Sequence, residues 1–253
     1  MNLTGNTILI TGGGSGIGRG LAEEFHKLGN QVIIAGRRKS ALEETIAANP
    51  GMKSVQLDIE SPAAIRSFAA QVTSDFPSLN VLINNAGIMR AEKLLSQQPD
   101  LVDAEAIVTT NLLGPIRLTA ALLAHLEKQP HAVLMDVSSG LAFMPLALTP
   151  TYCATKAAIH SYTQSLRYQL RGTHIEVLEL VPPYVATDLM SGKSDPRAMP
   201  LDKFIAEVME ILRTQPTPAE ICVESVKGLR FAAESGKYDT IFHGLNAAMA
   251  DIH

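Results

Sequence analysis

Short apolar runs alternate with longer amphipathic stretches along most of this chain, and that alternation limits the fold more than any other feature. Thr7 to Ile10, Gln31 to Ala35 (QVIIA), Ser54 to Asp58 (SVQLD), Val81 to Asn84, Ala132 to Val137 (AVLMDV) and Ile175 to Val181 (IEVLELV) read as strands. Between them lie helical patterns. Ile17, Leu21, Phe25 and Leu28 mark one face, closed by Gly29-Asn30. Ser40 with Glu43 has capping-box spacing, and Pro50-Gly51 ends that helix. Ser61-Pro62 fits an N-cap followed by proline at the first helical position, with Ile65, Phe68 and Val72 turned inward. Leu101 to Lys128 is a long helical region. Thr151 to Arg171 is another, with Ala154, Ala158, Tyr162, Leu166 and Leu170 as its expected seam. Strands that are apolar on both sides need cover on both faces. The expectation is an α/β doubly wound parallel sheet with helices on both faces, and residues 1–253 forming a single domain.

The first strand runs into Thr11-Gly12-Gly13-Gly14-Ser15-Gly16-Ile17-Gly18, at a strand-to-helix turn. Glycine lets the backbone turn sharply and approach a pyrophosphate, which then meets N–H groups at a helix N-terminus. That is the context of a dinucleotide-binding Rossmann fold, although the spacing is Gly12-x-x-x-Gly16-x-Gly18 and not G-x-G-x-x-G. No Gly-Lys-Ser/Thr follows, so it is not a Walker loop. A tight turn that needs glycine for its own geometry reads the same way. The end of the second strand adds a charge. NAD binders usually place Asp or Glu there for the ribose hydroxyls; this chain has Gly36, then Arg37 and Arg38. A guanidinium grips a 2′-phosphate with paired hydrogen bonds, so the pair points to NADP(H) over NAD(H). A solvated basic turn is the other reading.

Ser138 to Lys156 (SSGLAFMPLALTPTYCATK) carries the chemistry. On a helix, Tyr152 and Lys156 project from one face, one turn apart. A neighbouring ammonium favours the phenolate, so Lys156 is expected to lower the Tyr152 pKa. Such a phenol gives or takes a proton at an oxygen undergoing redox, and Ser139 is placed to hydrogen-bond the same oxygen. Asn111 stands four residues before Pro115. Proline has no N–H, so the carbonyl of residue 111 loses its helical partner and must find another donor. From the spacing alone, a plain helix kink accounts for it.

Composition excludes several classes. The net charge of −4 and pI near 6.0 give no sign of nucleic acid or an acidic membrane as partner. Met1 to Thr11 lacks the basic region of a signal peptide. Val137 to Thr155 is uncharged, but Pro145, Pro150 and its hydroxyls mark an active-site loop and not a membrane span. Cys153 and Cys222 are in no metal spacing, so no metal is expected; a reduced, cytoplasmic protein is the simplest reading. Cys153 reads as a small core residue.

Taken in order, Thr11-Gly12-x-x-x-Gly16-x-Gly18, Asn84-Asn85-Ala86-Gly87, Asn111, Ser139, Tyr152-x-x-x-Lys156, and Pro182 with Thr187 resemble the short-chain dehydrogenase/reductase family over roughly residues 5 to 190. YCATKAAIHSYTQSLRYQL and VPPYVAT are most similar to the subgroup named for D-alanylation of teichoic acids, a name that fixes no substrate. The resemblance implies roles. Tyr152 is the acid/base, Lys156 tunes it and binds the nicotinamide ribose, Ser139 orients the carbonyl, and Asn111 with Lys156 belongs to a proton relay. Gly12, Gly14, Ser15, Gly16, Ile17 and Gly18 hold the pyrophosphate, with Arg37 and Arg38 beyond them. Asp58 and Ile59 flank the adenine; for Asp58 a strand-end cap is the alternative. Asn85, Ala86 and Gly87 line the adenosine ribose, while Asn84 reads as structural. Pro182, Val185 and Thr187 hold the carboxamide. The family usually has Pro-Gly where this chain has Pro182-Pro183, which stiffens the loop beneath the nicotinamide.

Leu141, Phe143, Met144, Tyr184, Leu189 and Met190 are the expected pocket walls, suited to a small, largely apolar carbonyl or alcohol. Ser191 to Pro200 is polar and rich in glycine and proline, within an expected lid of about 188–215. A cofactor-binding regulatory or scaffold protein on the same fold is the rival to an enzyme. The long helices carry apolar residues on more than one side. Leu122, Leu123, Leu126, Tyr162 and Leu166 therefore suggest a homodimer or homotetramer, as the family's helix pairing implies.

Overall fold

Each apolar run becomes a strand: β1 (Thr7–Thr11), β2 (Gln31–Gly36), β3 (Lys53–Gln56), β4 (Leu79–Asn84), β5 (Ala132–Val137) and β6 (Ile175–Val181). A further strand, β7 (Glu220–Cys222), is too short to show a period in the sequence. The computed structural model describes residues 1–94, 101–190, 195–215 and 217–249. Among the described residues, seven strands pair in parallel in the order β3-β2-β1-β4-β5-β6-β7. The chain winds outward from β1 to β3, then returns to start β4 on the other side of β1. That reversal opens a crevice at the carboxyl ends of β1 and β4, where a doubly wound sheet binds its ligand.

Helices α1 (Gly16–Lys27), α2 (Lys39–Ala48), α3 (Pro62–Asp75), α4 (Val102–Val108), α5 (Gly114–Leu126), α6 (Pro150–Gln169), α7 (Leu201–Thr214), α8 (Lys227–Arg230) and α9 (Tyr238–Ala248) follow or separate the strands. Successive strand residues face opposite ways. Ile8, Ile10, Val81, Ile83, Val133 and Met135 pack with Phe25 of α1 and Phe204 of α7. Leu9, Ile33, Leu82 and Leu134 pack on the other face with Phe68, Leu118 and Leu166 from α3, α5 and α6. Ser61 caps α3 as expected, its Oγ accepting from the Ala64 N–H at 3.2 Å.

Four expectations need correction. The Ser40–Glu43 capping box does not form: α2 starts at Lys39, so Ser40 already lies inside the helix and Arg38 is the N-cap. The inner face of α6 is Tyr152, Thr155, Lys156, Ile159, Thr163 and Leu166, while Ala154 is exposed and Ala158, Tyr162 and Leu170 are half-buried. Leu122, Leu126 and Leu166 are buried within the chain, and Leu123 and Tyr162 pack against the same cluster, so they do not call for a partner. Helix α7 is not part of a lid: Phe204, Ile205, Val208, Met209 and Leu212 are core residues on α1 and the sheet. Residues 191–194 of the expected lid lie outside the described residues.

Within the expected region 101–128, Val102–Leu126 is one helical path broken by a π-turn, Thr109–Leu113, at whose end the Gly114 N–H donates to the Thr109 carbonyl five residues back. Pro115 explains the location, since it cannot continue the regular pattern. Val102–Leu126 is long and apolar enough to cross a membrane by length and composition, but its apolar residues Leu118, Leu122 and Leu126 are packed on the sheet.

Candidate active site

The crevice is a cleft of about 1170 Å³. Its floor is the loop after β1. Gly12 has φ +69°, and a Cβ there would lie 2.8 Å from Asn85 Nδ2. A Cβ on Gly18 would lie 2.5 Å from the Gly12 carbonyl oxygen. Gly18 therefore does not line the cleft; it lets α1 approach the loop from behind. Thr11 stitches the ends of β1 and β4: its Oγ1 accepts from the N–H groups of Asn85 (3.0 Å) and Ala86 (3.1 Å), and Asn85 Nδ2 donates to the Thr11 carbonyl at 2.9 Å. Gly12, Gly14, Ser15, Gly16, Ile17, Asn85, Ala86 and Gly87 all face the cleft. Glycine backbone open to a helix N-terminus is a surface that fits a pyrophosphate, and a side chain at Gly12 would fill it.

Arg37 and Arg38 stand on the wall at the end of β2. Arg37 pairs with Glu60 at 2.6 Å, whereas Arg38 Nη2 donates to Ser15 Oγ at 2.9 Å. Of the two, Arg38 is bound to the phosphate-loop side. Leu57 and Ile59 line the cleft between them and the π-turn. Asp58 does not: it is exposed and its Oδ1 accepts from the Glu60 N–H at 3.1 Å, so the strand-end turn is what it supports.

Ser139 arrives on the loop after β5 and starts a short turn, its Oγ accepting from the Leu141 N–H at 3.1 Å. Tyr152 and Lys156 enter from the first turns of α6, nearly buried, and both face the cleft. Lys156 Nζ lies 5.6 Å from the Tyr152 ring centroid and donates to the Val137 carbonyl at 2.8 Å. Burial pushes the Tyr152 phenol above its ordinary value, and a hydrogen bond with Ser139 opposes this only in part. This corrects the expectation of a phenol lowered by Lys156. Lys156 is itself pushed down to about 8 by burial, with Asp136 and Glu179 opposing. Asn111 sits in the π-turn. Its Oδ1 accepts from the Ile88 N–H and its Nδ2 donates to the Ile88 carbonyl, both at 2.8 Å, so it clamps the loop after β4 rather than facing the cleft.

The sequence profile described as short chain dehydrogenase matches residues 6–198. The chain belongs to the short-chain dehydrogenase family. It is 39% identical over 252 residues to the uncharacterized oxidoreductase DltE of Bacillus subtilis (strain 168), covering 97% of this chain and 98% of that one. Among solved structures it is similar to a 3-ketoacyl-(acyl-carrier-protein) reductase from Brucella melitensis complexed with NADH, at 28% identity and TM-score 0.76, covering 85% of this chain and 93% of the other. It is also similar to the closed form of a serine dehydrogenase complexed with NADP+, at 25% identity and TM-score 0.75, covering 85% and 91%.

The substrate side of this short-chain dehydrogenase differs from expectation. Leu141, Tyr184, Leu189 and Met190 line the cleft, as do Pro182, Val185 and Thr187. Phe143 and Met144 do not. Phe143 turns away to His160 and Arg230, at 4.6 and 4.3 Å, and Met144 is fully buried. The missed walls are Met89, Leu146, Leu148, Leu229, Leu245 and Met249. The last two come with α9, where Ile241, Leu245 and Met249 recur every four residues, a signal the sequence did carry. Asn246 fastens α9 to the substrate loop, accepting from the Ala147 N–H at 2.6 Å and donating to the Pro145 carbonyl at 3.2 Å. Arg197 Nη1 donates to the Ala248 carbonyl, and Tyr184 donates to Asp195, so residues 195–199 are tied down on both sides. Glu92 was also missed. Its carboxylate accepts from Thr151 N–H (3.0 Å) and Oγ1 (2.7 Å), capping the turn that carries Tyr152.

Proposed function

We propose that this short-chain dehydrogenase is an NADP(H)-dependent reductase or dehydrogenase that interconverts a carbonyl and an alcohol on a small, largely apolar substrate. The observation that carries the reading is one cleft with the glycine loop at one end and Ser139, Tyr152 and Lys156 at the other, under aliphatic walls. A nicotinamide cofactor bound along that cleft supplies or accepts the hydride. The chain's residues handle the oxygen. Tyr152, held protonated by burial, is the acid for a carbonyl oxygen that gains negative charge, and the phenol proton ends on the alcohol. Ser139 orients that oxygen. Lys156 offers its remaining N–H donors to a ribose, and its charge stabilises the phenolate left behind. In the reverse direction Tyr152 takes the proton back.

Support for NADP(H) is Arg38 beside Ser15, together with the lack of a carboxylate at position 37; solved relatives hold either cofactor. The unpaired thiols Cys153 and Cys222 support a cytoplasmic setting. Self-association across α6 belongs to the same reading, supported by its exposed Ala154, Ala157 and Tyr168. Sedimentation that finds only a 27.1 kDa species would remove it.

The deciding experiment is NADPH oxidation, followed by absorbance, against a panel of aliphatic and aromatic ketones and aldehydes, with Tyr152→Phe in parallel. Turnover that disappears in the variant supports an enzyme. NADPH binding without turnover of any carbonyl or alcohol would favour a regulatory protein on the same fold, and a fully active Tyr152→Phe would remove the assigned site.

A further inference from the structure

A row of polar side chains crosses the sheet where apolar ones are the rule. Parallel pairing puts Asn84 of β4 beside Asp136 of β5, Asp136 beside Glu179 of β6, and Glu179 beside Glu220 of β7. Register partners in a parallel sheet share a face, and this one is covered by α5 and α6. Asn84, Asp136 and Glu179 are buried, with Asp136 1% and Glu179 0% exposed. Three carboxylates in line, two of them fully out of water, need counter-charges.

The helices above supply them in order. Glu220 is gripped twice by Arg230, at 2.6 and 3.0 Å. Glu179 faces His160 Nδ1 at 2.8 Å. Asp136 meets only neutral donors directly, Asn84 Nδ2 and Thr163 Oγ1, each at 2.8 Å. Its cation is two turns back along α6 from Thr163: Lys156, whose Nζ donates to the carbonyl of Val137, the residue after Asp136. Lys156 is 5% exposed and faces the cleft.

We propose that Asp136 and Glu179 are positioning residues, a buried acid pair that supplies the counter-charge holding Lys156 as an ammonium at the head of the cleft. Its importance for turnover rests on the proposed function; the charge balance does not. The other groups facing the pair are His160 and Tyr162 on α6 and Glu220 and Cys222 on β7, with Arg230 of α8 behind Glu220. His160, Glu179 and Glu220 bring their ligand atoms within 4.8 Å of one another, but Arg230 already occupies both oxygens of Glu220, so a guanidinium and not a metal completes that end.

The test reads Lys156 itself. In protein labelled with 13C at the lysine ε-carbon, the Lys156 signal, identified by its loss in Lys156→Met, is followed between about pH 6 and pH 10. Asp136→Asn keeps the shape and an acceptor for the Thr163 hydroxyl; Glu179→Gln keeps the His160 contact. Each variant should lower the Lys156 midpoint by about one pKa unit or more, as loss of a nearby opposite charge does. A purely structural role would leave it in place. An unchanged midpoint in both variants overturns the proposal, and if Asp136→Asn fails to fold, an unchanged midpoint in Glu179→Gln does so alone. Shifted midpoints together with an active Tyr152→Phe would keep the charge row and discard the catalytic reading.

Discussion

Replacing Lys156 by methionine should make the protein more stable and less active. Lys156 is pushed down to about 8 from 10.5 because α6 holds it in the core. A fall from 10.5 to about 8 is a penalty on the order of 3 kcal/mol on the charged side chain in the native state at neutral pH. Methionine removes that penalty and fills similar space. Against it, the Val137 carbonyl loses its donor, worth about 1–3 kcal/mol if left unpaired. The net expectation at pH 7 is a gain on the order of 1 kcal/mol, or a Tm higher by about 2–4 °C for a chain of this size. The pH dependence separates this from ordinary repacking. The folded pKa lies below the unfolded one, so between about 8 and 10.5 the unfolded wild type binds more protons and wild-type stability rises with pH. The variant lacks that rise. Its advantage should be complete below pH 8 and gone by about 10.5. Urea unfolding of both proteins at pH 7 and near pH 10 measures the two gaps, and titrating groups remote from Lys156 cancel in the difference. NADPH affinity and kcat should both fall in the same variant, a stability–activity exchange at one side chain. A variant less stable than wild type at pH 7, or a gain that persists unchanged near pH 10, would refute the reasoning.

Tyr152→Phe should keep the fold and NADPH binding while kcat falls about 10²–10⁴-fold, the usual contribution of general acid catalysis; equal kcat in the two proteins would show the acid lies elsewhere. Gly18→Ala should abolish NADPH binding, because its Cβ would sit 2.5 Å from the Gly12 carbonyl oxygen and backbone cannot yield as a side chain can; an unchanged Kd by fluorescence titration would show that the loop is not the cradle. Wild type should bind NADPH more tightly than NADH, and Arg38→Ala should weaken NADPH by about tenfold to a hundredfold with little effect on NADH, as the loss of charge-assisted hydrogen bonds predicts. Equal loss for both cofactors would assign Arg38 to the turn alone.

Much of the architecture was legible because parallel strands buried on both faces leave unbroken apolar runs, and β5 and β6 appear with the bounds read from AVLMDV and IEVLELV. The Tyr152–Lys156 pair was legible because helical spacing fixes its geometry whatever surrounds it. Its electrostatics were not. Spacing conveys the charge of Lys156 but not the burial of both groups, and burial sets the direction at Tyr152, with only the Ser139 hydrogen bond opposing it. The substrate walls failed for a different reason. Phe143 and Met144 sit in an apolar loop whose local pattern does not choose a side, and only tertiary packing on Arg230 and in the core decides. Glu92 caps a helix whose first residue is more than fifty positions away in sequence, beyond the reach of any local capping rule.

The inverted seam of α6 shows why the most functional helix was the least readable. A hydrophobic pattern sends Ala154, Ala158, Tyr162 and Leu170 inward, yet the inner face holds Tyr152, Thr155, Lys156 and Thr163. Each polar member has a specific partner there: Thr155 donates to the Tyr152 carbonyl, Lys156 to Val137, and Thr163 to Asp136. Such a face is stable only if the sheet beneath it is polar at the matching row, and Asn84, Asp136 and Glu179 form that row. The polar residues on the helix and those on the strands therefore explain each other, while each set alone looks like an error of patterning. Local rules break where a site requires it, and the compensation lies in the facing layer. For this chain the acids within AVLMDV and IEVLELV, placed where central strands should be wholly apolar, were the visible half of that arrangement.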